Sequence, residues 1–318
     1  MRLQHSEGVM KRKINLLMIV CCIAAVQIPG LCAEIPSAEQ LIAEHLKSIA
    51  APNVLSGIKT VTFAGRAEAD FILGMSGRMS GPAMLVSQGS KMAIAMQFQD
   101  INYLGEYFAY DGRSVTAREM QPGQKSPIAE FLYRYDKIMK NGLLGGVFSN
   151  AWPLLDIKGS RPRSMKVGNA RVDRVELYEL EYRPRDEHGD MKIRLYFDPE
   201  TYRHVRTEYK VRTDNDVTGG VGGSPFVDDR NRTEFSTDVN GVRDMAIMQV
   251  RGESFYTLVE KFDDFKKVGA VTLPHSYMLE YMIDGTNQSG FIANWKIDVI
   301  EIGFNAPDID QKLFKAEK

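Results

Sequence analysis

From Gly57 onward, apolar residues recur at every second position over most of the chain, the period of a strand with one face buried and the other wet. Across residues 91–98, Met92, Ile94, Met96 and Phe98 fall on one face, while Lys91, Ala93, Ala95 and Gln97 fall on the other. The alternation returns at residues 175–182, in Ile193-Leu195-Phe197, in Val205-Thr207-Tyr209-Val211, in Phe255-Thr257-Val259, in Tyr277-Leu279-Tyr281-Ile283 and in Ile297-Val299. Turn-forming groups separate the runs: Asp111-Gly112, Asp198-Pro199-Glu200, Asn240-Gly241 and Asp284-Gly285. About eleven strands joined mostly by short turns predict an antiparallel meander.

Two stretches carry a helical period. Ser37 with Gln40 three residues later fits a capping box, and Leu41, Ile42, Leu46 and Ile49 follow before Pro52 stops the run, so an N-terminal helix is expected to dock on the sheet. Between Pro127 and Pro153 the period of two disappears. There, Ile128, Phe131, Leu132, Tyr135, Ile138 and Met139 recur at three and four, which predicts an amphipathic helix ended by Asn141-Gly142. A second apolar run, from Leu143 through Phe148 to Trp152, contains the pair Gly145-Gly146, which weakens any helix there. Residues 214–229, with Gly219-Gly220-Val221-Gly222-Gly223, read as a flexible loop.

A long sheet with few helices covers its apolar face by closing into a barrel, stacking as a sandwich, or curling around the helices. Sixteen methionines favour an adaptable interior, and the segment 127–153 is the natural plug or lid.

Composition and charge narrow the function. The 318 residues are 44% apolar and 25% charged, enough for a large core. Forty Lys and Arg against 41 Asp and Glu leave a net charge of −1, so no basic field exists to hold nucleic acid. Residues 1–33 read as a signal peptide: the cluster Lys11-Arg12-Lys13, an apolar run from Leu16 to Val26, then Pro29-Gly30 and the small Ala33. That run reaches about 16 Å as a helix, roughly half a hydrocarbon core, so it is read as an address rather than a permanent span. Cleavage after Ala33 removes Arg2, Lys11, Arg12, Lys13 and Glu7, taking the net charge from −1 to −4, and removes Cys21, Cys22 and Cys32. The exported domain, 34–318, is then free of thiols and belongs in the periplasm or cell envelope. The alternative address is a lipoprotein anchored at Cys32, although Leu31 is larger than the residue expected before an acylated cysteine.

No constellation for catalysis, metal or cofactor binding emerges. His45, His188, His204 and His275 do not sit at metal-ligand spacing, and His204 with Glu208 lacks a third ligand. Gly74-Met75-Ser76-Gly77 and Met79-Ser80-Gly81 do not have the spacing of a nucleophile elbow. The run Gly219–Gly223 is followed by Ser224-Pro225 rather than by a phosphate-binding lysine. Asp228-Asp229 and Asp263-Asp264 beside Arg230 and Lys266-Lys267 look like solvated turns, and the basic residues Arg161, Arg163, Lys166, Arg171 and Arg174 could meet anionic head groups, although dispersed strand charge is the simpler reading. Charged strand faces and a polar C-terminus argue against an integral outer-membrane barrel.

The order of elements and several strings are familiar together: a signal segment, a helix beginning Ser37-Ala38-Glu39-Gln40-Leu41, a meander, a helical insert, Tyr196-Phe197-Asp198-Pro199-Glu200-Thr201, and a closing Ile302-Gly303-Phe304-Asn305 followed by Pro307, Asp308 and Phe314. Over nearly the whole exported part the sequence resembles the LolA/LolB-like periplasmic lipoprotein carriers, most of all their divergent outer-membrane lipoprotein-sorting members. The resemblance implies a mainly β fold: an unclosed antiparallel half-barrel of about eleven strands, with helices covering the open side and an apolar cavity for acyl chains. It also implies a membrane-bound protein that loads or receives the cargo, and a lid-locking arginine for which Arg66 and Arg78 are the candidates by position. Read from the residues themselves, Phe131, Leu143, Leu144, Phe148 and Trp152 are candidates for the lid, and Met92, Ile94, Met96 and Phe98 for the cavity wall. The expected function is a carrier that binds lipid or lipoprotein acyl chains, not an enzyme. The competing readings are an envelope module on the same fold that senses lipid or binds a protein, and a hydrolase built from unconnected residues.

Overall fold

The period-two stretches form one antiparallel sheet of twelve strands whose two outermost strands do not pair, so the sheet is not closed into a barrel. The computed structural model describes residues 35–73, 77–186, 190–216, 251–285 and 290–316. Residues 1–33, read above as a signal peptide, together with Gly74-Met75-Ser76, His188, the glycine run 219–223, Asp228-Asp229 and Asn240-Gly241, lie outside the described residues. The chain begins with α1 (Ala38–Ile49), α2 (Pro52–Gly57), β1 (Thr60–Leu73), β2 (Gly77–Gln88), β3 (Lys91–Gln97), β4 (Gly105–Tyr110) and β5 (Val115–Ala117). A hairpin of β6 (Glu119–Gln121) and β7 (Gln124–Lys125) leads into α3 (Pro127–Arg134), α4 (Lys137–Lys140), two 3-10 turns (Gly146–Phe148 and Pro153–Asp156) and α5 (Ile157–Ser160). The rest is strand: β8 (Ser164–Val172), β9 (Val175–Arg183), β10 (Lys192–Phe197), β11 (His204–Asp216), β12 (Arg251–Val268), β13 (Val271–Gly285) and β14 (Phe291–Phe304), before a last 3-10 turn (Gln311–Phe314).

The strand order is β5-β4-β3-β2-β1-β14-β13-β12-β11-β10-β9-β8. Pairing β1 with β14 puts the first and last long strands at the middle of the sheet, so its two edges, β5 and β8, are joined through residues 118–163. That connection has to travel from one edge of the sheet to the other, which is why it lies across the sheet's apolar face. Each edge is blunted: β5 has three residues, and β8 carries the exposed Lys166 and Arg171.

The expected N-terminal helix is present with its capping box: Ser37 N–H donates to Gln40 Oε1 at 2.8 Å, and Gln40 N–H donates to Ser37 Oγ at 3.2 Å. Pro52 does more than stop α1, because it opens the short α2 at a first-turn position where its missing N–H is harmless. The helix expected across residues 128–139 is two helices instead, broken at Tyr135, whose N–H still bonds Phe131 O while its backbone leaves the helical region. The break keeps the Tyr135 ring against Phe131, with centroids 4.8 Å apart. Asn141-Gly142 ends α4 as expected, with Gly142 at φ +67°.

One large core lies between the sheet and its cover of α1 and the insert, built from inward residues such as Phe63, Leu85, Ile94, Phe197, Leu258, Tyr277 and Trp295. A second, small cluster sits on the other face, where Phe314 packs with Val86, Ala93 and Ala109. There the C-terminal turn is tied down by the Tyr107 hydroxyl, which donates to the Leu313 carbonyl at 2.8 Å. Phe314→Ala should therefore lower unfolding free energy by about 3–5 kcal/mol in chemical denaturation; a loss under about 1 kcal/mol would show that the turn is not part of the fold's stability.

Candidate functional site

The insert docks across the β1–β14 seam and touches both halves of the sheet. On the β13 side the Phe131 ring lies 5.2 Å from Tyr281. Phe148 meets Phe63 of β1 edge-on at 5.0 Å and Tyr277 of β13 at 6.2 Å. Asn150 N–H donates to Ser87 Oγ of β2 at 2.8 Å. Trp152 packs 5.1 Å from His204 of β11 and 5.2 Å from His45 of α1. All nine residues singled out from the sequence, Phe131, Leu143, Leu144, Phe148, Trp152, Met92, Ile94, Met96 and Phe98, are buried in the one large core. The first five belong to the insert and its turns, the next three to β3, and Phe98 follows β3 and stacks on Tyr103 at 5.5 Å.

Gly145 is a point of close approach between the insert and the sheet. It has φ +81°, and a Cβ there would stand 2.3 Å from Met92 Cε of β3. Its N–H donates to Glu260 Oε1 at 2.6 Å. Glu260 lies on the inner face of β12, in phase with Leu258 and Phe262, and is 0% exposed. Two tyrosines complete its shell: Tyr277 of β13 donates to Oε1 at 2.7 Å and Tyr209 of β11 donates to Oε2 at 2.7 Å. Among the described residues no cation forms a salt bridge with it, so three neutral donors balance a buried carboxylate. Burial pushes its pKa up to about 7, against the bonds from Tyr277, Tyr209 and Gly145 that hold it down.

A second carboxylate repeats the arrangement on the other half of the sheet. Glu106 of β4, 1% exposed, accepts from Tyr103 at 2.6 Å and from Ser126 Oγ at 2.7 Å. Ser126 is the N-cap of α3 and accepts from Ala129 N–H at 3.1 Å, so Glu106 orients the hydroxyl that starts the helix. Trp295 Nε1 donates to the Tyr103 hydroxyl at 2.6 Å, which ties this group to β14. Burial raises the Glu106 pKa to about 7, opposed by the Ser126 and Tyr103 hydrogen bonds and the charge of Arg118.

Neither arginine proposed by position reaches the insert. Arg66 donates to Ser80 Oγ at 2.7 Å and Arg78 pairs with Asp70 at 2.7 Å, both in exposed bonds between β1 and β2. The groups that hold the insert are acidic instead. The period-two reading took Phe255-Thr257-Val259 for β12, whereas the face toward the insert is the other phase, Leu258-Glu260-Phe262. A carboxylate between two inward apolar positions was the available signal, as was Glu106 two residues before Phe108.

His45 and His204 are buried beside Trp152. Nδ1 of His45 lies 2.8 Å from the Tyr202 carbonyl. Burial lowers the His45 pKa to about 4, and burial together with the nearby His45 takes His204 well below its ordinary value. His45 Nε2 and Trp152 Nε1 have no hydrogen-bond partner among the described residues, so the contact of α1 with the insert is not fully matched in polar terms. Among the described residues no group of three or more His, Cys, Asp or Glu is placed to hold a metal ion.

Two crevices border the insert. One of about 160 Å³ is lined by Tyr135, Ile138, Leu143, Met191, Ile193 and Val211 among others. The other, about 380 Å³, lies by Asn150, Trp152, Leu155 and Tyr182. Ligand pockets usually offer roughly 300–1,000 Å³ of mostly apolar space, so the apolar crevice is too small for a long acyl chain while the insert is docked.

The four buried groups set a pH profile for folding. Glu260 and Glu106, raised from 4.5 to about 7, favour the folded state below 4.5 and lose that contribution as pH rises through 7. His45, lowered from 6.5 to about 4, favours it above 6.5 and loses that contribution as pH falls through 4; His204 acts in the same sense. Stability should therefore rise by on the order of 1–2 kcal/mol from about pH 8 to 6.5, level off, and fall below about 4.5. In the Glu106→Gln/Glu260→Gln double variant, urea denaturation should show no rise between about pH 8 and 6.5. A rise of the same size in that variant would mean other groups set the profile.

No protein-family model matches the chain, and no curated protein matches it. Among solved structures it is similar to the LolA superfamily protein NE2245 from Nitrosomonas europaea, at 13% identity and a TM-score of 0.41 over 88% of this chain and 98% of that one. It is similar as well to a DUF1329 family protein from Desulfovibrio piger, at 10% identity and a TM-score of 0.36 over 87% and 96% of the two chains. A third is MucB in its complex with MucA(peri), at 11% identity and a TM-score of 0.21 over 85% and 100%. All three likenesses lie at 10–13% identity and below a TM-score of 0.5.

Proposed function

We propose that the domain 34–318 binds acyl chains of lipids or lipoproteins on the inner wall of its sheet and passes them on, the insert being the element that gives way to them. The observation that carries this reading is how the insert is attached. It covers the wall without belonging to the sheet, and its bonds near the centre run to side chains, Gly145 N–H to Glu260 and Asn150 N–H to Ser87. Phe131, Leu143, Leu144, Phe148 and Trp152 occupy the space an acyl chain would take, and Met92, Ile94, Met96 and Phe98 form part of the wall beneath it.

The energetics suit an exchange of one apolar cover for another. Each buried CH2 is worth about 0.8 kcal/mol, so ten of them offset roughly 8 kcal/mol of lost insert packing before ordering costs. Glycine turns let the segment fold tightly when docked, and the adaptable side chains Met92, Met96 and Met139 suit a wall that repacks. The work proposed is binding, not catalysis. The signal-like residues 1–33 support export to the periplasm or envelope, where a membrane-bound protein would load the cargo or receive it.

Native and denaturing mass spectrometry of the form starting at Glu34 tests the reading. Bound diacyl mass that disappears on denaturation is the expected result; a bare mass that stays bare after incubation with lipid extract would contradict it. Phe148→Ala removes the fully buried ring between Phe63 and Tyr277 and weakens the docked insert, so an acyl probe should bind at least about ten-fold more tightly. Unchanged or weaker binding by the folded variant would remove Phe148 from the lid.

A further inference from the structure

Glu260 is a buried ionisable side chain lying directly between the docked insert and the wall, with the Gly145 N–H on one of its oxygens. Its surroundings are neutral on every side. Tyr209 faces it from β11 and Tyr277 from β13. On β12 its inward neighbours are Leu258 and Phe262. From the insert comes Gly145, and the next residue, Gly146, lies against Phe262 and His204, with His45 of α1 behind at 6.2 Å from His204. Both histidines are held neutral by burial.

Resting on the carrier reading above, we infer that loading of an acyl chain takes up a proton at Glu260. When the insert withdraws, the carboxylate loses the Gly145 donor, and when hydrocarbon takes the insert's place no water or amide replaces it. An ionised carboxylate with one donor fewer against an apolar chain is strongly disfavoured, whereas a protonated one can donate to a tyrosine oxygen and stays satisfied. The docked state thus tolerates the ionised group better than the loaded state does. The proton comes from solvent and no other bond changes.

The coupling has a definite sign. With the docked-state carboxyl at about 7 and the loaded-state carboxyl above it, binding consumes a proton only at pH values between the two. Affinity therefore increases as pH is lowered toward about 7 and then levels off. Release is favoured by the alkaline side, because deprotonation calls the Gly145 N–H back.

The experiment is a titration of the protein with a neutral fluorescent acyl ester, whose own charge does not change, from about pH 9 to 6. The wild type should gain up to about ten-fold in affinity per pH unit on the alkaline side and plateau below about pH 7. Calorimetry in two buffers of different ionisation enthalpy should show proton uptake approaching one near pH 8. Glu260→Gln keeps an acceptor for Gly145 and should bind with affinity independent of pH. Tyr277→Phe removes a donor that holds the carboxyl down, so its plateau should begin at a higher pH. Binding that is flat with pH in the wild type, or equally sloped in Glu260→Gln, overturns the proton coupling and leaves the carrier reading standing. Absence of binding at every pH overturns the carrier reading and the coupling with it.

Discussion

A carboxylate sealed from water and met by a hydrogen-bond donor of another element is an expensive contact to lose on one side only, and among the described residues two such carboxylates bridge the sheet to its cover. Glu260 holds Gly145, and Glu106 holds the serine that caps α3. Because β5 and β8 end far apart in the strand order, the chain between them must cross the apolar face, and these two carboxylates decide how it lies there. The aromatic contacts of Phe131, Phe148 and Trp152 then follow from that placement. Buried polar groups of this kind specify an arrangement more than they stabilise it, since burial itself disfavours the charged form.

The same chemistry suits the replaceable cover that the proposed function requires. A second sheet would be locked by a ladder of backbone bonds along its length, whereas the central part of the insert is held by single bonds to side chains and by packing that another hydrocarbon can supply. Gly145, with its backbone in the left-handed region, gives the segment its tight docked path. The proposed exchange of cover for cargo requires the energies on the two sides to be of the same order, so that the cover neither remains in place nor fails to dock.

Much of the architecture was legible in the sequence because its signals are local. The recurrence of large apolar residues at every second position in residues 91–98 and 277–283 points to strands, and the switch to a period near 3.6 at Ile128 marks the insert. The break at Tyr135 was not legible, since the apolar positions run straight through it and only packing of the ring on Phe131 decides it. The carboxylates were missed for a related reason. In a polar-apolar alphabet Glu260 counts as a surface residue, and choosing the phase with Phe255, Thr257 and Val259 hides that Leu258 and Phe262 flank it on the inner face. The role of Glu260 depends on donors from β11, β13 and the insert, brought together across more than a hundred residues, a relation no local window contains.

The central claim is that the insert opens as a unit while the sheet stays folded. Native-state hydrogen exchange followed by mass spectrometry reads this directly, by comparing peptides from residues 127–160 with peptides from β12 and β13. Exchange of the insert through a low-energy opening, with the strands protected to the level of global unfolding, is the result this account expects. Insert and strands exchanging together, with the same free energy and the same dependence on denaturant, would show that the insert is an ordinary part of the core and not a replaceable cover.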